Sequence, residues 1–116
     1  MAVRTDEMAL LERKADEVAS ILKALSNPRR LLLLCKLAEH GSMNVGELAG
    51  EIRLSQSAVS QHLAIMREEG LVAFDRAGQT LHYRIADERL TELLSSLYRL
   101  YCTESQEPMN DEDPNY

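Results

Sequence analysis

Residues 54–66 read LSQSAVSQHLAIM, with no Lys, Arg, Asp or Glu in a chain that is otherwise 28% charged. Ser57, Ser60, Gln61, Ala64 and Arg67 recur at i, i+3, i+4, i+7 and i+10, which is one face of a helix. Val59, Leu63 and Met66 form the opposite, apolar stripe. Hydroxyls and a carboxamide on a face without acids suit hydrogen bonding to base edges. The DNA major groove admits one helix, bulky side chains would hold it off, and Gln pairs bidentately with adenine. Ser55 as N-cap brings free N–H groups and the positive end of the helix dipole, which favour a phosphate. The residues expected to meet DNA here are Ser55, Gln56, Ser57, Ser60, Gln61, His62 and Arg67. A Ser- and Gln-rich helix that merely faces water is the plain alternative.

Other reactive side chains are few. Cys35 and Cys102 lie 67 residues apart, which rules out a local CxxC motif but leaves them free to meet through the fold. A Cys in LLLLCKL is most often a small, inert core residue. His40, His62 and His82 are scattered, and Cys35 and His40 at i, i+5 diverge around a helix. Soft metals need several convergent thiolates or imidazoles, so no metal site and no cofactor is expected. No His stands beside a nucleophile in a recognisable motif and there is no phosphate loop, so an enzyme is not expected.

The elements that must position these groups are well punctuated. Leu11, Ala15, Val18, Leu22 and Leu25 mark one face of a first helix over residues 5–25, with Asp6 and Glu7 favourable at its start. Asn27, Pro28 and Gly41 bound a second helix, apolar almost all round and therefore expected to be central and buried. Arg29 and Arg30 sit in its first turn, where the dipole disfavours cations, so a carboxylate or a phosphate should compensate. Asn44 and Glu47 form a capping-box pattern for a short third helix, and a tight turn at Arg53-Leu54 leads to the fourth. The fourth runs to Glu69 and stops at Gly70. The period then changes to two, with Val72 and Phe74, then Leu81, Tyr83 and Ile85, around a turn centred on Ala77-Gly78. Asp87 caps a last helix with Leu90, Leu93, Leu94, Leu97, Leu100 and Tyr101 along its apolar side.

This order is mainly α with a small β-hairpin, α-α-α-α-β-β-α, a winged helix-turn-helix. In the wing, Arg76, Gln79 and Thr80 are placed to reach phosphate or the minor groove. Residues 1–102 form one domain, and residues 103–116, with two Pro and five acids, are expected to be a disordered acidic tail.

Net charge is −6, and Glu104, Glu107, Asp111, Glu112 and Asp113 of the tail account for nearly all of it. A near-neutral body can carry a local basic patch, whereas tight sequence-blind DNA binding is disfavoured. The longest apolar run, LLLLC, is far below the ~20 residues of a membrane span. The acidic N-terminus does not read as a targeting segment, so a cytoplasmic location is expected.

NVGELAGEIRLSQSAVSQHLAIMREEGLV followed by a short wing resembles the ArsR/SmtB family of winged-helix repressors, and ALSNPRRLLLLCKL resembles the second helix of that family. The resemblance covers residues 22–102. It implies a homodimer through the first and last helices that binds double-stranded DNA at an inverted-repeat operator and is released by an inducer. Many members sense metals, through a Cys-x-Cys pair on the third helix or an Asp-x-His on the last. Here those places hold Glu47-Leu48-Ala49-Gly50 and Asp87 followed two on by Arg89, so a metal-responsive repressor is the runner-up. Cys35 within the leucine-rich helix and Cys102 closing LYRLYC resemble the dithiol, BigR-like subgroup. That resemblance implies sensing of persulfides, other reactive sulfur species or oxidant by crosslinking the two thiols. A winged-helix module that binds protein is the other alternative, to which the acidic balance gives some room.

Overall fold

The structure is a computed structural model and describes residues 5–102. The order is α1 (Thr5–Leu25), α2 (Pro28–His40), α3 (Val45–Ile52), α4 (Gln56–Glu68), β1 (Val72–Ala77), β2 (Thr80–Ile85) and α5 (Glu88–Cys102). It is the mainly helical winged helix-turn-helix expected from the punctuation. The expected disordered tail lies outside the described residues.

The starts of α2, α3, α4 and α5 each have a side chain that accepts from unpaired N–H groups. Asn27 Oδ1 accepts from the backbone N–H of Arg29 at 2.9 Å and of Arg30 at 3.1 Å, with Pro28 occupying the first turn. Asn44 and Glu47 make a reciprocal capping box at 2.8 and 2.9 Å. Ser55 Oγ accepts from Ala58 N–H at 3.0 Å, and Asp87 Oδ1 from Arg89 N–H at 2.9 Å. Removing the α2 cap with Asn27→Ala is expected to lower stability by about 1 kcal/mol, read from the midpoint of urea unfolding.

Between α3 and α4, Arg53 adopts the left-handed conformation, φ 62° and ψ 46°, and its N–H reaches back to the Ala49 carbonyl at 2.9 Å. This turn sets the angle of α4. Val59, Leu63 and Met66 are fully buried, which fixes the rotation of α4 about its axis.

The core is built around α2. Leu33, Leu34 and Leu37 pack with Leu48 of α3, Leu63 of α4, Val72 and Tyr83 of the hairpin, and Leu90 and Leu94 of α5. The helix is less enclosed than its composition predicts. Leu32 is 50% exposed and Cys35 is also open. One chain has too few elements to surround a helix, so one face stays uncovered. Other apolar side chains also remain open on α1 (Leu11, Leu22) and at the end of α5 (Tyr98, Leu100, Tyr101).

The hairpin pairs Val72 with Ile85, Phe74 with Tyr83 and Ala77 with Thr80. The turn therefore lies at Gly78-Gln79, one residue later than Ala77-Gly78. Gly78 takes φ 65°, and Gln79 is not among the positive-φ residues. That combination matches a type II′ turn, which wants Gly first and lets Ala77 stay in the ladder. Met43 and Tyr83 exchange backbone hydrogen bonds of 3.0 and 2.8 Å, so the loop before α3 pins the base of the wing. No helix among the described residues is long and apolar enough to cross a membrane.

Candidate nucleic-acid interface and dithiol

With the buried stripe of α4 turned inward, Ser57, Ser60, Gln61, Ala64 and Arg67 are all exposed on its outer side. The first turn of α4 holds no acid. Gln56 is exposed at the same end, and the Ser55 hydroxyl is engaged as the cap. Short donors and acceptors at the N-terminal end of an exposed helix form a surface that fits a groove rather than a core.

Two of the expected contacts are tied to other elements. His62 is half-buried and turned toward α2, where its Nδ1 accepts from Arg30 Nε at 3.4 Å. Burial first, then the Arg30 and Arg29 guanidiniums, hold its imidazole below the ordinary value. It is therefore neutral near pH 7. The Arg67 guanidinium lies 4.3 Å over the Phe74 ring, joining the end of α4 to the wing. Arg76, Gln79 and Thr80 are exposed at the hairpin tip, and Arg84 Nε donates to Asp75 Oδ2 at 2.9 Å, bracing the two strands. The Arg30–His62 contact spans 32 residues and leaves no periodic signature in the sequence.

The two cysteines sit on helices that pack together, Cys35 midway along α2 and Cys102 as the last residue of α5. Both thiols are free and exposed. Desolvation pushes the Cys35 thiol above its ordinary value, the nearby Cys102 pushes the same way, and Lys36 opposes them. Lys36 is itself held by Glu51 of α3 at 3.0 Å. Cys35 opens into a groove of about 710 Å³ between α2 and α5, whose walls include Leu32, Leu94, Ser95 and Tyr98.

Among the described residues no group of three or more His, Cys, Asp or Glu is placed to hold a metal ion. At the start of α5, Arg89 Nη2 contacts Asp87 Oδ2 and Glu17 Oε2, each at 2.7 Å. A fixed guanidinium thus bridges the two carboxylates and ties α1 to α5.

Residues 27–73 match the family described as bacterial regulatory protein, arsR family. The HTH-type transcriptional regulator YgaV of Escherichia coli (strain K12) is 43% identical over 96 residues, covering 83% of this chain and 97% of that protein. The crystal structure of the transcriptional repressor BigR from Xylella fastidiosa superposes with a TM-score of 0.77 at 38% identity, covering 84% of this chain and 98% of that one. HlyU of Vibrio cholerae, called a transcriptional activator, is 40% identical over 96 residues, covering 83% of this chain and 88% of its own length. A structure of reduced HlyU from Vibrio cholerae N16961 superposes with a TM-score of 0.74, covering 80% of this chain and 97% of that one.

Proposed function

The chain belongs to the ArsR family of bacterial transcriptional regulators, and from that premise we propose that it is a dithiol-gated repressor. In the reduced state a homodimer holds an inverted-repeat operator, and a sulfur bridge between Cys35 and Cys102 releases it. The observation that carries the reading is the pair of free, exposed thiols on two helices that pack together, one midway along α2 and one ending α5. The unpaired apolar side chains of α1 and α5 support the dimer, since family regulators are typically dimeric and these surfaces would otherwise face water. A two-fold axis through them sets two copies of α4 about 34 Å apart, one turn of DNA. Ser57, Ser60 and Gln61 then read bases, Ser55 and Gln56 approach the backbone, and Arg76, Gln79 and Thr80 of the wing reach the neighbouring phosphates or minor groove.

A thiol held above its ordinary value is the poorer first nucleophile, so Cys102 attacks first. Its thiolate attacks within a polysulfide chain, whose S–S bond breaks: the shortened remainder leaves with the electron pair, and a chain of at least two sulfurs stays on Cys102. Cys35 then attacks the sulfur chain on Cys102 and expels hydrosulfide. Two thiols lose two protons and two electrons, and the electrons leave as reduced sulfide. With peroxide the same order passes through a sulfenic acid on Cys102 and ends in a direct disulfide, with reduced oxygen leaving. A direct disulfide requires Cα atoms about 4.4–6.8 Å apart, whereas inserted sulfurs tolerate a wider gap, so span discriminates the two signals.

The pH dependence follows from Cys35. Only its thiolate closes the bridge, and its thiolate fraction grows about tenfold per pH unit until its own value is reached. Because burial raises that value, closure keeps accelerating at pH values where an ordinary cysteine has levelled off. A quenched-flow pH–rate profile of bridge closure measures this, and a plateau at the ordinary thiol value would contradict it.

Titration of an inverted-repeat operator with reduced and polysulfide-treated protein tests the function as a whole. Tight, salt-dependent, sequence-selective binding only in the reduced sample is expected. Release by a divalent metal with no response to polysulfide would establish the metal-sensing reading instead. Binding to no DNA at all would leave a protein-interaction module.

A further inference from the structure

Arg29 and Arg30 occupy the first turn of α2, a turn that contains no acid. A cation there is opposed by the helix dipole. The ion pairs formed among the described residues involve neither guanidinium, so no carboxylate of the described residues pairs with either to offset that opposition. The backbone N–H groups of both residues are taken by Asn27 Oδ1, so an anion arriving here meets side chains rather than a bare helix end.

Their position points to what that anion is. Arg30 Nε donates to His62 Nδ1, which orients its fork against α4 and leaves its Nη groups free. Arg29 is exposed and also acts electrostatically on His62. His62 immediately follows Gln61 of the groove-facing stripe. Two guanidiniums with spare donors therefore flank the helix that enters the groove, where a duplex presents its phosphodiester backbone. A guanidinium fork matches phosphate oxygens bidentately, and contacts of this type fix orientation on the duplex without reading sequence.

We propose that Arg29 and Arg30 form a phosphate clamp on the operator backbone, lying outside both the helix-turn-helix and the wing, with His62 as the positioning residue that aims Arg30. The clamp rests on the DNA-binding reading above and deepens it. It makes α2 both the carrier of Cys35 and a direct DNA contact.

The test is the salt dependence of binding by the full-length protein, on an operator and on a scrambled duplex. Arg29→Ala, Arg30→Ala, the double variant and the double Lys variant are compared with the parent, with thermal unfolding as a control on fold. Removing one phosphate interaction lowers the slope of log K against log salt by about 0.9, so a single variant of a two-fold dimer should show a slope smaller by about 1.8. Affinity should fall by a similar factor on both duplexes. The Lys variant should keep most of the slope, because the charge is retained. The Arg29 side chain makes no hydrogen bond or ion pair among the described residues, so Arg29→Ala should fold normally and carries the test even if Arg30→Ala does not. Arg29→Ala with the parent's slope would overturn the clamp, as would weaker binding with unchanged slope. In both cases the parent still binds its operator. Absence of DNA binding by the parent would instead remove the reading on which the clamp rests.

Discussion

Cys35→Ser and Cys102→Ser are each expected to bind operator as the reduced parent does and to show no release by polysulfide. The parent should lose about 5–150-fold in affinity, the range of a coupling free energy of ~1–3 kcal/mol. Neither cysteine lies on the exposed face of α4 or in the wing, so an oxygen in place of sulfur leaves the DNA surface intact. Both residues are exposed in the chain, so the change removes no buried core volume. What it removes is the covalent link between α2 and α5. That link matters because α2 is the helix around which the core is organised, whereas α5 carries open apolar side chains at Tyr98, Leu100 and Tyr101. Tying the two together would constrain how α5, the helix proposed to form the dimer interface, sits on the domain that presents α4. Gel-shift titrations of the three proteins, reduced and polysulfide-treated, measure the effect. A serine variant that still releases DNA on treatment would show that the bridge is not the switch.

Gln61→Ala is expected to cost about 1–3 kcal/mol per half-site, the discrimination carried by one bidentate base contact. A dimer would carry two such contacts, so operator affinity should fall by about 30-fold to about 25,000-fold. Binding to a scrambled duplex should barely change, because it rests on phosphates rather than base edges. The side chain is exposed, so stability should hold. This pattern is opposite to that of the Arg29 and Arg30 variants, which should weaken both duplexes alike. Parallel titrations on the two duplexes separate the roles, and equal losses on both would show that Gln61 does not read a base.

Much of the fold is legible in the sequence because it is punctuated locally. Asn27, Asn44 and Ser55 each satisfy N–H groups two or three residues away, and Gly41 closes α2 with its N–H to Leu37 O at 2.8 Å. Such contacts depend on neighbours in the chain, so residue types reveal them. The inward stripe of α4 is legible for the same reason, since a helical period holds wherever the helix goes. The hairpin turn falls one residue later than the sequence suggests because Ala77 and Gly78 both suit a turn, and only the pairing of Ala77 with Thr80 decides between registers. The open face of α2 is not legible at all, because periodicity says which residues are apolar, not how many partners are available to cover them.

The site is legible to a lesser degree. Hydroxyl and carboxamide chemistry marks Ser57, Ser60 and Gln61, and the structure leaves them exposed together. His62 and Arg67 belong to the same stretch, yet Arg30 and Phe74 capture them through contacts that only tertiary packing creates. The placing of Cys35 and Cys102 on two packed helices is of that kind too. It arises from how α5 lies against α2, and nothing in either segment alone encodes it.

The most direct measurement is intact-mass spectrometry of the protein after polysulfide, with operator affinity determined on the same aliquots. A single intramolecular species is expected, two hydrogens lighter than the dithiol and heavier by the inserted sulfur, mapping to Cys35 and Cys102 and appearing in proportion to lost binding. A bridged protein that binds operator as tightly as the dithiol would contradict the mechanism, as would release from DNA while both thiols remain free.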